Sequence, residues 1–111
     1  MKKIEAVIRI NKIDQVEKAL SKLGVNGITV SQVLGWGRQK GNMTEVYRGT
    51  EVEVRLLPKA KIEIIINDSE CDQVKEVIRQ NALTDKIGDG VIWVTSVEDF
   101  LRIRTGENTL G

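Results

Sequence analysis

Apolar and polar positions alternate from Lys2 to Ile10, with Ile4, Ala6, Ile8 and Ile10 on one side and Glu5, Val7 and Arg9 on the other. A period of two rich in β-branched residues predicts a strand. The period then becomes helical. Ile13, Val16, Ala19, Leu20 and Leu23 form one stripe, with Asn11 as the expected N-cap, Asp14 in the first turn and Gly24 as the closing glycine. Residues 25–34 (VNGITVSQVL) return to β-rich composition and stop at Gly35. A second cycle follows: a strand over 61–66 (KIEIII), then a helix with Ser69 as N-cap and Asp72 three residues on. Val74, Val77, Ile78 and Leu83 supply its stripe. Residues 91–97 (VIWVTSV) predict another strand, and 100–103 a short edge strand.

The order βαβ, βαβ predicts a single α+β domain of ferredoxin-like type over residues 1–111, with four antiparallel strands and both helices on one face. Between the cycles, residues 37–58 form a connection of about twenty residues where a two-residue turn would serve. Connections of that length are usually functional or disordered, and a protruding hairpin without a role is the plain alternative. The sheet face without helices carries Val7 and Ile65 beside Glu5, Arg9 and Glu63. Such a mixture suits a face partly covered by another subunit, and equally a solvated one.

Composition narrows the chemistry. The 111 residues hold 17 Lys and Arg against 16 Asp and Glu, no His and one Cys. A near-neutral charge offers no overall basic field for nucleic acid or acidic lipid. Without His, neither a Ser–His–Asp triad nor a Cys–His dyad can form, and the common zinc sites lose their ligands. Cys71 alone cannot close an internal disulfide, so a cytoplasmic protein is expected. The start MKK leads directly into the first strand, which argues against a signal peptide, and no apolar run approaches the roughly 18 residues of a membrane span.

Candidate binding groups lie at strand ends. Gly35-Trp36-Gly37-Arg38-Gln39-Lys40-Gly41 leaves the second strand, and Gly88-Asp89-Gly90 precedes the last long one. Glycine lets backbone N–H groups approach phosphate oxygens unhindered by a Cβ. Arg38, Lys40, Arg102 and Arg104 add cations, and on an extended segment Arg102 and Arg104 would point the same way. Paired guanidiniums suit polyphosphate because each binds two oxygens. Each piece alone is a common turn or a solvated edge.

Together the motifs GWGRQKG, YRG (Tyr47-Arg48-Gly49), LPKAKIE (57–63), TDKIGDGVIWV (84–94) and RIRTGE (102–107) resemble the PII nitrogen-regulatory signal-transduction proteins, in order and over nearly the whole chain. The resemblance implies a non-enzymatic homotrimeric regulator with adenine-nucleotide sites in inter-subunit clefts and a protruding T-loop, here about 37–55. It implies adenine and ribose contacts near Thr29, Glu63 and Ile65, with Gly35 and Trp36 flanking the cleft. Phosphate contacts fall on Gly37, Arg38, Gln39, Gly88, Asp89 and Gly90, with Arg102 and Arg104, in a nucleotide-contacting segment of about 100–107, reaching in from a neighbour. ATP or ADP would be the effector. In members that sense 2-oxoglutarate, Mg-ATP helps bind it; Gln39 would coordinate the Mg, and Lys40 and Lys59 would stand near the acid. Contact with a partner, a membrane transporter such as an ammonium transporter or a metabolic enzyme, would use Tyr47, Arg48, Gly49 and Thr50. Such contact would recruit a cytoplasmic protein to the membrane.

Departures from the family pattern carry information. Val91 stands where Lys or Arg normally follows GDG, which removes a charge-assisted bond worth about 1.5–3 kcal/mol and tilts the expected preference from ATP toward ADP. Val52 stands at the Tyr that some bacteria uridylylate, which excludes that modification at that position. Two other functions share this strand order. An RNA-binding module would need stacking aromatics on its central strands, and aromatics are only 4% of this chain. An acylphosphatase-like enzyme would need an Arg in a phosphate loop after the first strand, where Ile10-Asn11-Lys12 is found.

Overall fold

A computed structural model describes residues 1–36 and 56–110. The chain runs β1 (Lys2–Ile8), α1 (Ile13–Lys22), β2 (Thr29–Gly35), β3 (Leu57–Ile66), α2 (Cys71–Ala82) and β4 (Gly90–Ser96). The strands form one antiparallel sheet in the order β2-β3-β1-β4, so β1 is central and β2 and β4 are edges. The expected ferredoxin-like α+β architecture is what these elements build.

The alternation in β1 becomes a division between two faces. Ile4, Ala6 and Ile8 point to the helices with Ala60, Ile62, Ile64 and Ile66 of β3, and all are buried. Val16 and Leu20 of α1 and Val74, Ile78 and Ala82 of α2 close over them. Burying a Leu, Ile or Val side chain contributes roughly 1.5–3 kcal/mol, so this single layer carries most of the fold's stability. Helix α1 ends as its sequence implies. Gly24 has φ 94°, the Val25 amide bonds the Leu20 carbonyl at 3.0 Å, and the Gly24 amide bonds Ser21 at 3.1 Å, a Schellman closure.

Several boundaries differ from the sequence expectation, each for a local reason. A 3₁₀ turn over Ile10–Lys12 precedes α1, so Lys12 occupies the cap position and Asn11 makes no side-chain cap bond. The same device, Asp68–Glu70, displaces Ser69 from the cap of α2. Strand β2 begins only at Thr29, because 25–28 contains Asn26 and Gly27, poor strand formers, and has no ladder partner. Strand β3 reaches back to Leu57 and includes Pro58, which is tolerated because β1 stops at Ile8, opposite Ala60, leaving Pro58 paired only with Leu34 of β2.

The expected edge strand at 100–103 is absent. A turn closes the segment instead, with the Arg102 amide bonding Glu107 and the Gly106 amide bonding Arg102, both at 2.8 Å. Arg102 and Arg104 therefore do not share the extended alternation expected of them. No helix of the described residues is long and apolar enough to cross a membrane.

Candidate functional site

Strand register sorts the expected site residues into two groups at opposite ends of the sheet. Gly35 pairs with Leu57 and Gly90 pairs with Ile8, so the end of β2, the start of β3 and the start of β4 lie at one end. Gly35, Trp36, Lys59, Gly88, Asp89, Gly90 and Val91 belong there. It is also the end from which residues 37–55 depart. Thr29 pairs with Glu63, and Ile65 pairs with Lys3, which pairs in turn with Thr95 of β4; these residues lie toward the other end. The segment carrying Arg102 and Arg104 leaves there too, after Ser96, six residues from Gly90 and about 20 Å along the strand. Strand register brings Gly35, Trp36, Lys59 and Gly88–Val91 to one end and Thr29, Glu63 and Ile65 toward the other, while Arg102 contacts Phe100 and Leu110 of its own segment. Gly37, Arg38, Gln39, Lys40, Tyr47, Arg48, Gly49, Thr50 and Val52 lie outside the described residues.

The first group centres on Asp89, whose carboxylate organises the loop before β4. Its Oδ1 accepts from the Thr84 hydroxyl and from Arg9 Nε at 3.1 Å. Its Oδ2 accepts the amides of Thr84 at 2.8 Å and Asp85 at 3.0 Å. Burial by itself would raise the Asp89 pKa. The hydrogen bonds from Thr84, Arg9 and the Asp85 amide overcome that and hold the carboxyl far below the usual carboxylate range. Arg9 extends the clamp by donating Nη2 to the Ile87 carbonyl at 2.9 Å, and Lys59 donates Nζ to the Gly88 carbonyl at 2.8 Å. Lys59 is nearly buried, and burial, with Arg9 nearby, lowers its pKa; Asp89 partly offsets this.

Glycine is required here by conformation. Gly88 has φ 104° and Gly90 φ 102°, and a Cβ on Gly90 would overlap the carbonyl oxygen of Val7 in β1. Both Asp89 carboxylate oxygens are engaged within the fold, so this side chain shapes the loop. Arg9 and Thr84 are the participants that sequence reasoning missed. Thr84 sits inside the TDKIGDG motif five residues before Asp89, a local signal that was available. Arg9 meets Asp89 across 80 residues and announces nothing in the sequence.

The second group lies on the open face of the sheet. Glu63 receives Lys3 at 2.8 Å, and Glu5 receives Lys61 at 2.9 Å, with Lys3 at 3.7 Å from Glu5. The Lys61 bond lowers the Glu5 pKa, and the bond to Glu63 raises that of Lys3. Lys61 also lies 5.7 Å from the ring centre of Trp93. Thr29 and Ile65 are exposed beside this ladder. Arg102 and Arg104 are exposed in the C-terminal segment, with Arg102 over the Phe100 ring at 5.4 Å. No cluster of three His, Cys, Asp or Glu that could hold a metal occurs among the described residues.

Known proteins place the chain without ambiguity. A family model described as Nitrogen regulatory protein P-II matches residues 1–107. A Nitrogen regulatory protein P-II of Azospirillum brasilense is 54% identical over 107 residues, covering 96% of this chain and 95% of the relative. One from Rhizobium meliloti (strain 1021) is 52% identical over 110 residues, covering 99% and 97%. One from Pasteurella multocida (strain Pm70) is 54% identical over 107 residues, covering 96% and 95%. With its strand order, two-helix layer and GDG loop in place, the chain belongs to the Nitrogen regulatory protein P-II family of signal-transduction regulators.

Proposed function

We propose that this regulator senses adenine nucleotide at the glycine-bearing end of its sheet and passes the signal to a partner protein through residues 37–55. The observation that carries the reading is the loop at 84–90. Its two glycines adopt conformations costly for other residues, its carboxylate faces inward and is fully engaged, and it stands beside the root of the long connection. A loop of that kind offers backbone amides to an anion without an open carboxylate to repel it.

The division of expected contacts between two sheet ends supports the rest of the reading. Thr29, Glu63 and Ile65 with Arg102 and Arg104 form one half-site, and Gly35, Trp36 and Gly88–Gly90 form the other. A ring of copies, a homotrimer in this proposal, joins one protomer's first half to its neighbour's second. Bound phosphate then sets the direction of Arg38, Gln39 and Lys40 at the connection's root. Mg, when bound through the phosphates and Gln39, would supply neutralising charge. A 2-oxoglutarate carboxylate would take the Lys59 hydrogen-bond capacity that the Gly88 carbonyl leaves. Ligand acts by differential affinity for one conformation of the connection, and Tyr47, Arg48, Gly49 and Thr50 contact a transporter or metabolic enzyme.

Titration calorimetry with ATP, ADP and AMP, each with and without Mg²⁺ and 2-oxoglutarate, tests this. ADP is expected to bind at least as tightly as ATP, because Val91 contributes no cation to the third phosphate. Val91→Lys should tighten ATP about tenfold or more. Absence of heat with every nucleotide would reject the reading.

A further inference from the structure

We infer that Arg9 is a positioning residue for anion binding: by gripping the Asp89 carboxylate and the Ile87 carbonyl together, it turns the amides of Gly88 and Asp89 outward as a paired donor. The inference rests on the nucleotide reading above and assigns a cause to the shape of its phosphate loop.

The argument comes from peptide geometry. Every peptide bond of the described residues is trans, so the C=O and N–H of one unit point in opposite directions. The Ile87 carbonyl points to Arg9 and the Gly88 carbonyl points to Lys59. Arg9 and Lys59 are neighbours, lining one cleft with Ile10, Asn11, Leu57 and Pro58. Two successive carbonyls therefore face the same pair of cations, and the next two N–H groups, of Gly88 and Asp89, face away. An extended chain cannot do this, because its successive carbonyls alternate; the φ of 104° at Gly88 is what permits it. Among the described residues, neither of these amides donates a hydrogen bond inside the protein. Two adjacent N–H groups that point to one side of a glycine turn form an anion-binding concavity.

Arg9 is the component that makes the arrangement rigid. One guanidinium spans a side chain and a main-chain carbonyl two residues apart, which a point charge cannot do with the same geometry. Thr84 holds the same carboxylate from the other side.

The test uses the ¹⁵N-labelled full chain, titrated with ADP and separately with adenosine while amide resonances are followed. In the wild type, the Gly88 and Asp89 amide signals should move on adding ADP and stay in place with adenosine. Arg9→Gln should weaken ADP about tenfold, or ~1.4 kcal/mol, with adenosine affinity within about twofold of wild type. Arg9→Lys should fall between the two. An equal loss for ADP and adenosine, or no loss for either, overturns the positioning role while leaving nucleotide sensing intact. Failure of the wild type to bind ADP or ATP overturns the nucleotide reading and this inference with it. Should Arg9→Gln not fold, Thr84→Val removes the opposite anchor; a selective loss of ADP affinity supports the inference and an unchanged ADP affinity overturns it.

Discussion

The 84–90 loop and the 97–110 segment flank the same strand, one entering β4 and the other leaving it, yet they are built on opposite principles. The loop is tied into the fold by Arg9 and Lys59, from near the ends of other strands, and is braced within itself by Thr84. Among the described residues, the segment's one main-chain bond back toward the sheet runs from the Val97 amide to the Met1 carbonyl at 3.1 Å. Beyond Val97 its hydrogen bonds, among the described residues, stay within the segment, and Leu101 and Ile103 are exposed. Both carry glycine and charge. The loop is held by other elements of the fold, whereas the segment beyond Val97 is folded by bonds within itself.

The sharpest way to break this contrast is to make one substitution at both ends. Gly90→Ala drives a Cβ into the Val7 carbonyl and must part β4 from β1, a cost expected above about 3 kcal/mol. Gly106→Ala also starts from a positive φ, 71°, but no atom would meet its Cβ, so the cost is only the left-handed penalty of about 1–2 kcal/mol. Urea unfolding of both variants decides it. Equal costs would mean that the loop is no better anchored than the segment.

Acid sharpens the comparison further. A carboxylate whose folded pKa is depressed contributes stability that is present above its ordinary value of 3.8 and is lost as pH falls below it. Asp89→Asn should therefore cost about 2 kcal/mol at pH 7 and flatten the fall in stability below pH 3.8. Glu5 and Asp68, also lowered, retain part of the slope. Denaturant midpoints measured across that range would show it, and parallel curves for the two proteins would refute the clamp's energetic role.

What sequence could reveal follows the same divide. Alternation in 2–8 and 61–66 and the stripes of α1 and α2 are set by neighbours a few residues apart, and those elements were legible. The 3₁₀ turns before both helices were not, because Asn11 and Ser69 satisfy a cap pattern that one additional turn of chain makes redundant. The GDG glycines were legible as candidates. That Asp89 faces inward was not, since its partner Arg9 is 80 residues away and came to it through strand order alone. The same-side placement of Arg102 and Arg104 presumes an extended segment, and a turn joining Arg102 to Gly106 and Glu107 stands in its place.

Arg104 supplies the mildest and most specific test of the contrast. It is exposed on a segment that adds little to the protomer, so Arg104→Ala should change the unfolding free energy of the ligand-free chain by no more than about 0.5 kcal/mol. If that guanidinium serves a phosphate held by a neighbouring protomer, the effect must emerge only when ADP is present. Ligand stabilises the folded chain by RT ln(1 + [L]/Kd), so a tenfold weaker Kd removes about 1.4 kcal/mol of the ADP-induced gain at saturating ligand. A thermal or urea series with increasing ADP separates the two contributions. A variant that loses stability equally with and without ADP would show that the segment is part of the fold rather than of the site, and the contrast between the two ends of β4 would disappear.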